Sequence, residues 1–273
     1  MRTAGRKYAP PLGGRMAGDG VHPGVDARWL ERAARAAPVE HAYALWDLVQ
    51  APDRTRFDSL VRDGETRAYV LRWHGNPSAV IAHWVGEADP ALLASLPPAP
   101  CVLLVPPAAA PLLTAERSGL IGVPIAMMSR DPDHPLPDVR PSVRRLTGGD
   151  RGLLANVLEP GAPMQAGYAH RDPDIEPVWG AFEGERLVGV AHVPVSLPFV
   201  WMISGVYTRP EHRGRGIAQA VTAAICRHAE ALGAVAALYV REENAPAVRA
   251  YARIGFRVVG RKRWFESIGP TVA

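Results

Sequence analysis

The stretch Val206-Tyr-Thr-Arg-Pro-Glu-His-Arg-Gly-Arg-Gly-Ile-Ala218 constrains this chain more than any other. An apolar run of strand type, residues 199–207, ends in a loop with Gly214 and Gly216. An amphipathic helix over residues 215–232 follows at once, with Ile217, Val221, Ile225 and Leu232 on its apolar face. Glycines at such a junction let the backbone approach a ligand closely. The first turn of a helix adds unpaired amides and roughly half a positive charge, so the junction suits a phosphate or pyrophosphate. The same sequence also serves as an ordinary tight strand-to-helix turn. A P-loop would need Gly-Lys-Ser/Thr before the helix, and there is none. A dinucleotide fingerprint accepts Gly214-x-Gly216 but requires Gly or Ala where Gln219 stands, and Glu242 and Glu243 lie too far on to hold a ribose.

At 273 residues, 48% of them hydrophobic, the chain has room for one large domain or two ordinary ones. Apolar periodicity predicts helices over residues 29–37 and 40–50, then strands over 67–73 and 79–85 joined by a turn at His-Gly-Asn-Pro-Ser. A helix (90–96), a strand (102–105), a helix (108–117) and a strand (120–127) complete this half. Residues 131–141 hold four prolines in eleven positions, which favours an extended linker. Beyond it the order recurs: a helix over 150–158, strands over 178–183, 186–195 and 199–207, the helix after the glycine loop, a strand over 235–240, a helix over 244–254 and a strand over 256–264. The expected organisation is a basic tail (1–24), an amino-terminal domain (25–130), the linker (131–141) and a carboxy-terminal domain (142–273).

Arg213-Gly-Arg-Gly216-Ile-Ala218 fits Arg/Gln-x-x-Gly-x-Gly/Ala, the hallmark of the GNAT superfamily of acyl-CoA-dependent N-acyltransferases. Asn244-Ala-Pro-Ala-Val-Arg-Ala-Tyr251-Ala-Arg-Ile-Gly255-Phe256 resembles the family's second signature, an Asn opening a helix with a Tyr four residues before Gly-Phe. The resemblance covers residues 141–268. It implies an α/β (α+β) GNAT fold, a central mixed and mainly antiparallel sheet flanked by helices. The first half resembles the degenerate amino-terminal half of two-domain GNAT proteins such as the glycine N-acyltransferase-like group, since it lacks the glycine loop. The co-substrate implied is acetyl-CoA or another acyl-CoA, with no metal. By the same resemblance, the amides of Arg213, Gly214, Arg215, Gly216, Ile217 and Ala218 hold the coenzyme pyrophosphate, and Val206, Tyr207 and Thr208 pair with the pantetheine. Val206 meets the thioester carbonyl. Asn244 contacts the coenzyme and caps its helix. Tyr251 is the general acid: a phenol of ordinary pKa near 10 stays protonated at neutral pH and can hand its proton to a departing thiolate.

The general base has no such assignment, because Phe199-Val-Trp-Met-Ile-Ser-Gly-Val holds no acid where many relatives have one. Candidates are Glu159, His170, Asp172, Glu176 and His192, or a water chain through Ser204. Arg209, Arg213 and Arg215 form a charge cluster that also meets coenzyme phosphates. Cys226 lies on the apolar side of its helix as a small core residue. His212 and His228 lack partners at metal-ligand spacing. Trp73, His83 and Trp84 are candidates for an acceptor pocket in the first half, with core packing as the alternative.

Charge and composition narrow the rest. Residues 1–20 hold Arg2, Arg6, Lys7 and Arg15 against Asp19, a net +3 of the chain's +4, so the remainder is nearly neutral and nucleic acid is not an expected partner. The longest apolar stretch, residues 101–113, is cut by Pro106, Pro107 and Pro111, and no membrane partner is expected. Two cysteines and no secretory pattern point to a reducing cytoplasm. The expected activity is transfer of an acyl group, acetyl foremost, to the primary amine of a small molecule by direct attack in a ternary complex. The alternatives are a non-catalytic acyl-CoA-binding or regulatory module and a protein N-acetyltransferase. The acceptor amine, the acyl chain length and the oligomeric state are not encoded in these motifs.

Overall fold

The side chain of Asp26 accepts hydrogen bonds from the amides of Arg28 (2.8 Å) and Trp29 (3.1 Å). That cap starts the first helix of the computed structural model, which describes residues 18–76, 78–137, 142–158 and 171–267. The chain divides into two compact units, Met1–Ile125 with Arg261–Ala273, and Ala126–Gly260.

The first unit opens with β1 (Gly20–Pro23), α1 (Ala27–Ala36) and α2 (Pro38–Gln50), whose leading proline has no amide to leave unpaired. β2 (Thr55–Arg62) and β3 (Glu65–Trp73) form a hairpin that the sequence reading lacks, since it places no strand before residue 67. Its turn is Asp63-Gly64, with φ of 52° and 72°, the left-handed pair that a two-residue hairpin needs. β4 (Val80–Gly86) adds antiparallel to β3, and β5 (Cys101–Val105) parallel to β4. The helix expected at 90–96 is a 3-10 segment, Pro90–Ser95. α3 (Ala110–Glu116) and the start of β6 (Val123–Arg130) follow. Trp84, Tyr69, Leu103 and Leu113 are fully buried in the core of this unit, together with Phe265 from the returning end of the chain.

Trp84 and His83 are core residues, not pocket walls. The Trp84 indole donates to the Glu87 carbonyl at 2.9 Å, and the His83 ring packs 5.2 Å from that of Tyr43. Burial, with the Lys262 charge second, pushes His83 down to about 3. Burial also pushes the Asp47 carboxyl from 3.8 to about 7. Asp47 therefore holds a proton in the folded protein over a range where the unfolded chain has lost it. The resulting stability is full below pH 4 and lost as the pH rises through 7. Denaturant midpoints measured between pH 4 and 8 should fall with pH in the wild type and fall less in Asp47→Asn.

The second unit continues with β7 (Ser142–Arg145), α4 (Arg151–Ala155), β8 (Val178–Glu183), β9 (Arg186–Leu197), β10 (Val200–Thr208), α5 (Ile217–Ala231), β11 (Val235–Arg241), α6 (Ala245–Ala252) and β12 (Phe256–Ser267). β7 to β10 pair antiparallel in sequence order, and β11 joins β10 in parallel. The sheet is thus mixed and mainly antiparallel, as expected. α5 buries Val221, Ile225, Cys226 and Ala229 against Trp179, Trp201, Ile203 and Leu238. Burial drives the Cys226 thiol up to about 12, consistent with a packed and unreactive side chain. On β9, Ala191 and Val193 face this core, while Val190 belongs to a second cluster with Leu146, Leu154 and Tyr207.

Candidate active site

The parallel register of β10 and β11 runs from Val200↔Val235 to Ile203↔Leu238. Beyond Ile203, β10 bulges: its register on β9 slips on both sides of Ser204, and Gly205 takes a φ of 61°. The strand leaves its parallel neighbour while staying attached on the other side through Tyr207↔Val190 and Thr208↔Gly189. Gly189 is needed there, because a Cβ at that position would lie 2.5 Å from Ile217 Cγ2. A cavity of about 700 Å³ occupies the region beside the split.

Its floor is the junction singled out in the sequence. Gly216 is the N-cap of α5, with φ of 80° and no side-chain cap. The first intrahelical bond is donated by the Ala220 amide to Gly216. The amides of Ile217, Ala218 and Gln219 therefore have no acceptor within the helix, which is the arrangement that receives an anion. A Cβ at Gly216 would meet only Gln219 Oε1, at 3.7 Å, so the space above the loop is open. From the other side come Asn244, whose side chain caps α6 by accepting from the Ala247 amide at 3.2 Å, and Tyr251.

Val206, Tyr207, Thr208, Arg213, Gly214, Gly216, Ile217, Ala218, Asn244 and Tyr251 all line the cavity. Arg215 does not. Its guanidinium turns back to Glu183 at 2.8 Å and donates to His212 Nδ1 at 3.1 Å. The expected arginine cluster is reduced in the same way, because Arg209 donates to the carbonyls of Leu187 (2.9 Å) and Asn156 (2.7 Å). Only Arg213 of the three stays on the cavity wall. Arg249 on α6 and Arg253 at its carboxy-terminal cap line it as well. Sequence reasoning passed over these two, although their four-residue spacing puts them on one helix face.

Residues 151–256 match the sequence model of the family described as Acetyltransferase (GNAT) family. The chain carries a GNAT-family domain. Two mycothiol acetyltransferases are similar to it: that of Corynebacterium glutamicum (strain R), 34% identical over 98 residues, and that of Streptomyces scabiei (strain 87.22), 35% identical over 144. These matches take in 36% and 46% of this chain. They span only 32% and 46% of the relatives' own lengths. Among solved structures, a Drosophila protein superposes with a TM-score of 0.67 at 13% identity over 92% of this chain and 99% of its own. A GCN5-related N-acetyltransferase-like protein from Streptococcus suis 89/1591 gives 0.59 at 13% over 88% and 98%. A tandem GNAT protein from the clavulanic acid biosynthesis pathway gives 0.55 at 15% over 92% and 99%. At these identities the likeness is one of fold.

Within the GNAT domain, Tyr251 is 8% exposed, and burial pushes its phenol up to about 12, so it keeps its proton across the neutral range. Its ring packs 5.9 Å from that of Phe256. Of the candidate bases, Glu159 and His170 lie outside the described residues. Asp172 is held by Arg151, whose hydrogen bond keeps its carboxyl below the usual range. His192 is buried on β9 directly opposite Ser204, bonded to Glu176. His228 is packed between Trp179 and Trp201 at 5.4 and 5.2 Å. Among the described residues no group of three or more His, Cys, Asp or Glu side chains could hold a metal ion, and no helix is long and apolar enough to cross a membrane.

Proposed function

We propose that the GNAT domain transfers an acetyl group from acetyl-CoA to the primary amine of a small molecule, by direct attack with both substrates bound. The observation that carries this reading is the single cavity in which the split end of β10, the uncapped start of α5 and the Tyr251 hydroxyl-bearing ring meet. The amides of residues 213–218 bind the pyrophosphate, with Arg213 on the wall beside them. Val206 to Thr208, released from β11, offer main-chain groups to the pantetheine, and the Val206 amide faces the carbonyl oxygen that gains charge during attack. Tyr251 protonates the departing thiolate. The names of the two bacterial relatives, both acetyltransferases, support acetyl as the group carried.

On this reading residues 25–130 are a degenerate GNAT-like half without the glycine loop. The likeness in fold to a tandem GNAT protein over 92% of the chain supports it. The test is release of free thiol from acetyl-CoA over a panel of amines, amino acids, polyamines, aminoglycosides and peptides, run beside calorimetric titration of the coenzyme. Binding with turnover of a small amine is the expected result. Turnover of peptides alone would make the protein a protein acetyltransferase, binding without turnover a coenzyme-responsive module, and no binding would sink the assignment of the loop.

A further inference from the structure

Acyl-CoA carries its negative charge in two places: a pyrophosphate and, across one ribose ring, a 3′-phosphomonoester that holds about −1.5 to −2 at pH 7. The proposed pyrophosphate site uses the free amides at the start of α5 and Arg213, and it leaves the monoester without a partner. The cavity that holds these groups is lined by Arg213, Arg249 and Arg253 and, among the described residues, by no aspartate or glutamate. Its fixed side-chain charge is therefore of one sign, and a cleft of one sign concentrates ions of the other. Arg249 and Arg253 are exposed, and neither guanidinium is tied to a carboxylate among the described residues. Arg144, Arg151, Arg171, Arg186, Arg215 and Arg257 of the same unit all are. The cavity wall thus keeps two cations that no internal partner has claimed.

These two arginines stand beside the pyrophosphate site, not in it. Gln219, in the first turn of α5, donates from its Nε2 to the Ala250 carbonyl at 3.3 Å. That bond ties the turn with the free amides to the turn of α6 that carries Arg249. Arg253 follows one turn on, about 6 Å along the axis, as the residue that closes α6. Their spacing puts both side chains on one face, and both reach the cavity. Cations at the end of α6 also balance its dipole, but any direction off the helix end serves that purpose, and it requires no place on a cavity wall. We propose that Arg249 and Arg253 together grip the 3′-phosphate, and so make the protein select intact acyl-CoA over a donor that lacks this group. A guanidinium fork meets phosphate oxygens in pairs, which a lysine cannot do. The pair acts on binding alone, since no bond is made or broken by it.

This inference rests on the acyl-CoA reading of the cavity. Calorimetric titration of acetyl-CoA and of acetyl-3′-dephospho-CoA against the wild type and the double variant Arg249→Gln/Arg253→Gln tests it without turnover. The wild type should bind acetyl-CoA about 30–100-fold more tightly, the effect of two charge-assisted contacts at an exposed site. That preference should shrink as salt is raised from about 0.05 to 0.5 M. The double variant should bind the two donors within about threefold of each other, with its affinity for the dephospho form close to that of the wild type. Arg249→Lys/Arg253→Lys keeps both charges without the fork and should retain only part of the preference. All these changes fall on exposed side chains, where folding is little affected. Equal affinity of the wild type for the two donors overturns the assignment, as does a preference that survives in the glutamine variant or a loss that falls equally on both donors. In each of those cases the coenzyme site still stands, whereas a wild type that binds neither donor overturns both.

Discussion

Tyr251→Phe is expected to lower turnover by about 10²–10⁴-fold while leaving acetyl-CoA affinity within a factor of about two. The substitution removes one oxygen and keeps the ring, so the packing on Phe256 survives, and a folding defect would not account for the loss. The proton matters because it neutralises the departing thiolate and so prevents its return to the carbonyl, and the phenol lies on the cavity wall, where burial keeps it protonated up to about pH 12. For the same reason Tyr251 should impose no alkaline limb on the wild-type rate between pH 7 and 10. Steady-state kinetics beside calorimetry measures both quantities. Turnover at the wild-type level in Tyr251→Phe would reduce this residue to a packed aromatic.

Gly216→Glu should abolish coenzyme binding, with a loss of at least about 100-fold in affinity. Two effects act together. A left-handed backbone at φ 80° costs a residue with a Cβ roughly 1–2 kcal/mol, and a carboxylate at the start of α5 occupies the position proposed for the phosphates and neutralises the charge of the helix end. Gly216→Ala separates them, because it carries the strain without the charge. The built Cβ finds nothing closer than 3.7 Å, so alanine fits. A modest weakening in Gly216→Ala with none detectable in Gly216→Glu is the expected pattern by calorimetry. An affinity within tenfold of wild type for Gly216→Glu would count against phosphate binding at this loop.

Much of the site was legible because its motifs are local. Asn244 and Tyr251 are spaced by one helix, and the glycine loop lies between a strand and a helix that both announce themselves by apolar period. What escaped depends on pairing across the chain. Spacing does not tell which of Arg213 and Arg215 faces the cavity; Glu183, at the far end of β8, decides it by drawing Arg215 away. Glu176 and His192 are distant in sequence and meet only because the β8–β9 register sets Val178 against His192. β2 was missed for a different reason: Thr-Arg-Phe-Asp-Ser-Leu-Val-Arg alternates too weakly to stand out, and Asp63-Gly64 was the stronger signal.

The first compact unit has a consequence for how the protein is made. Its core includes Phe265, and Lys262 within it donates to Glu40 and to the Trp84 carbonyl, each at 3.1 Å. On the ribosome these two side chains are synthesised after all of residues 126–260. The segment ahead of residue 126 thus emerges with its hydrophobic sheet unfinished, and it must wait, open to chaperones and to mispairing at an uncovered strand, until residues 261–267 have been translated.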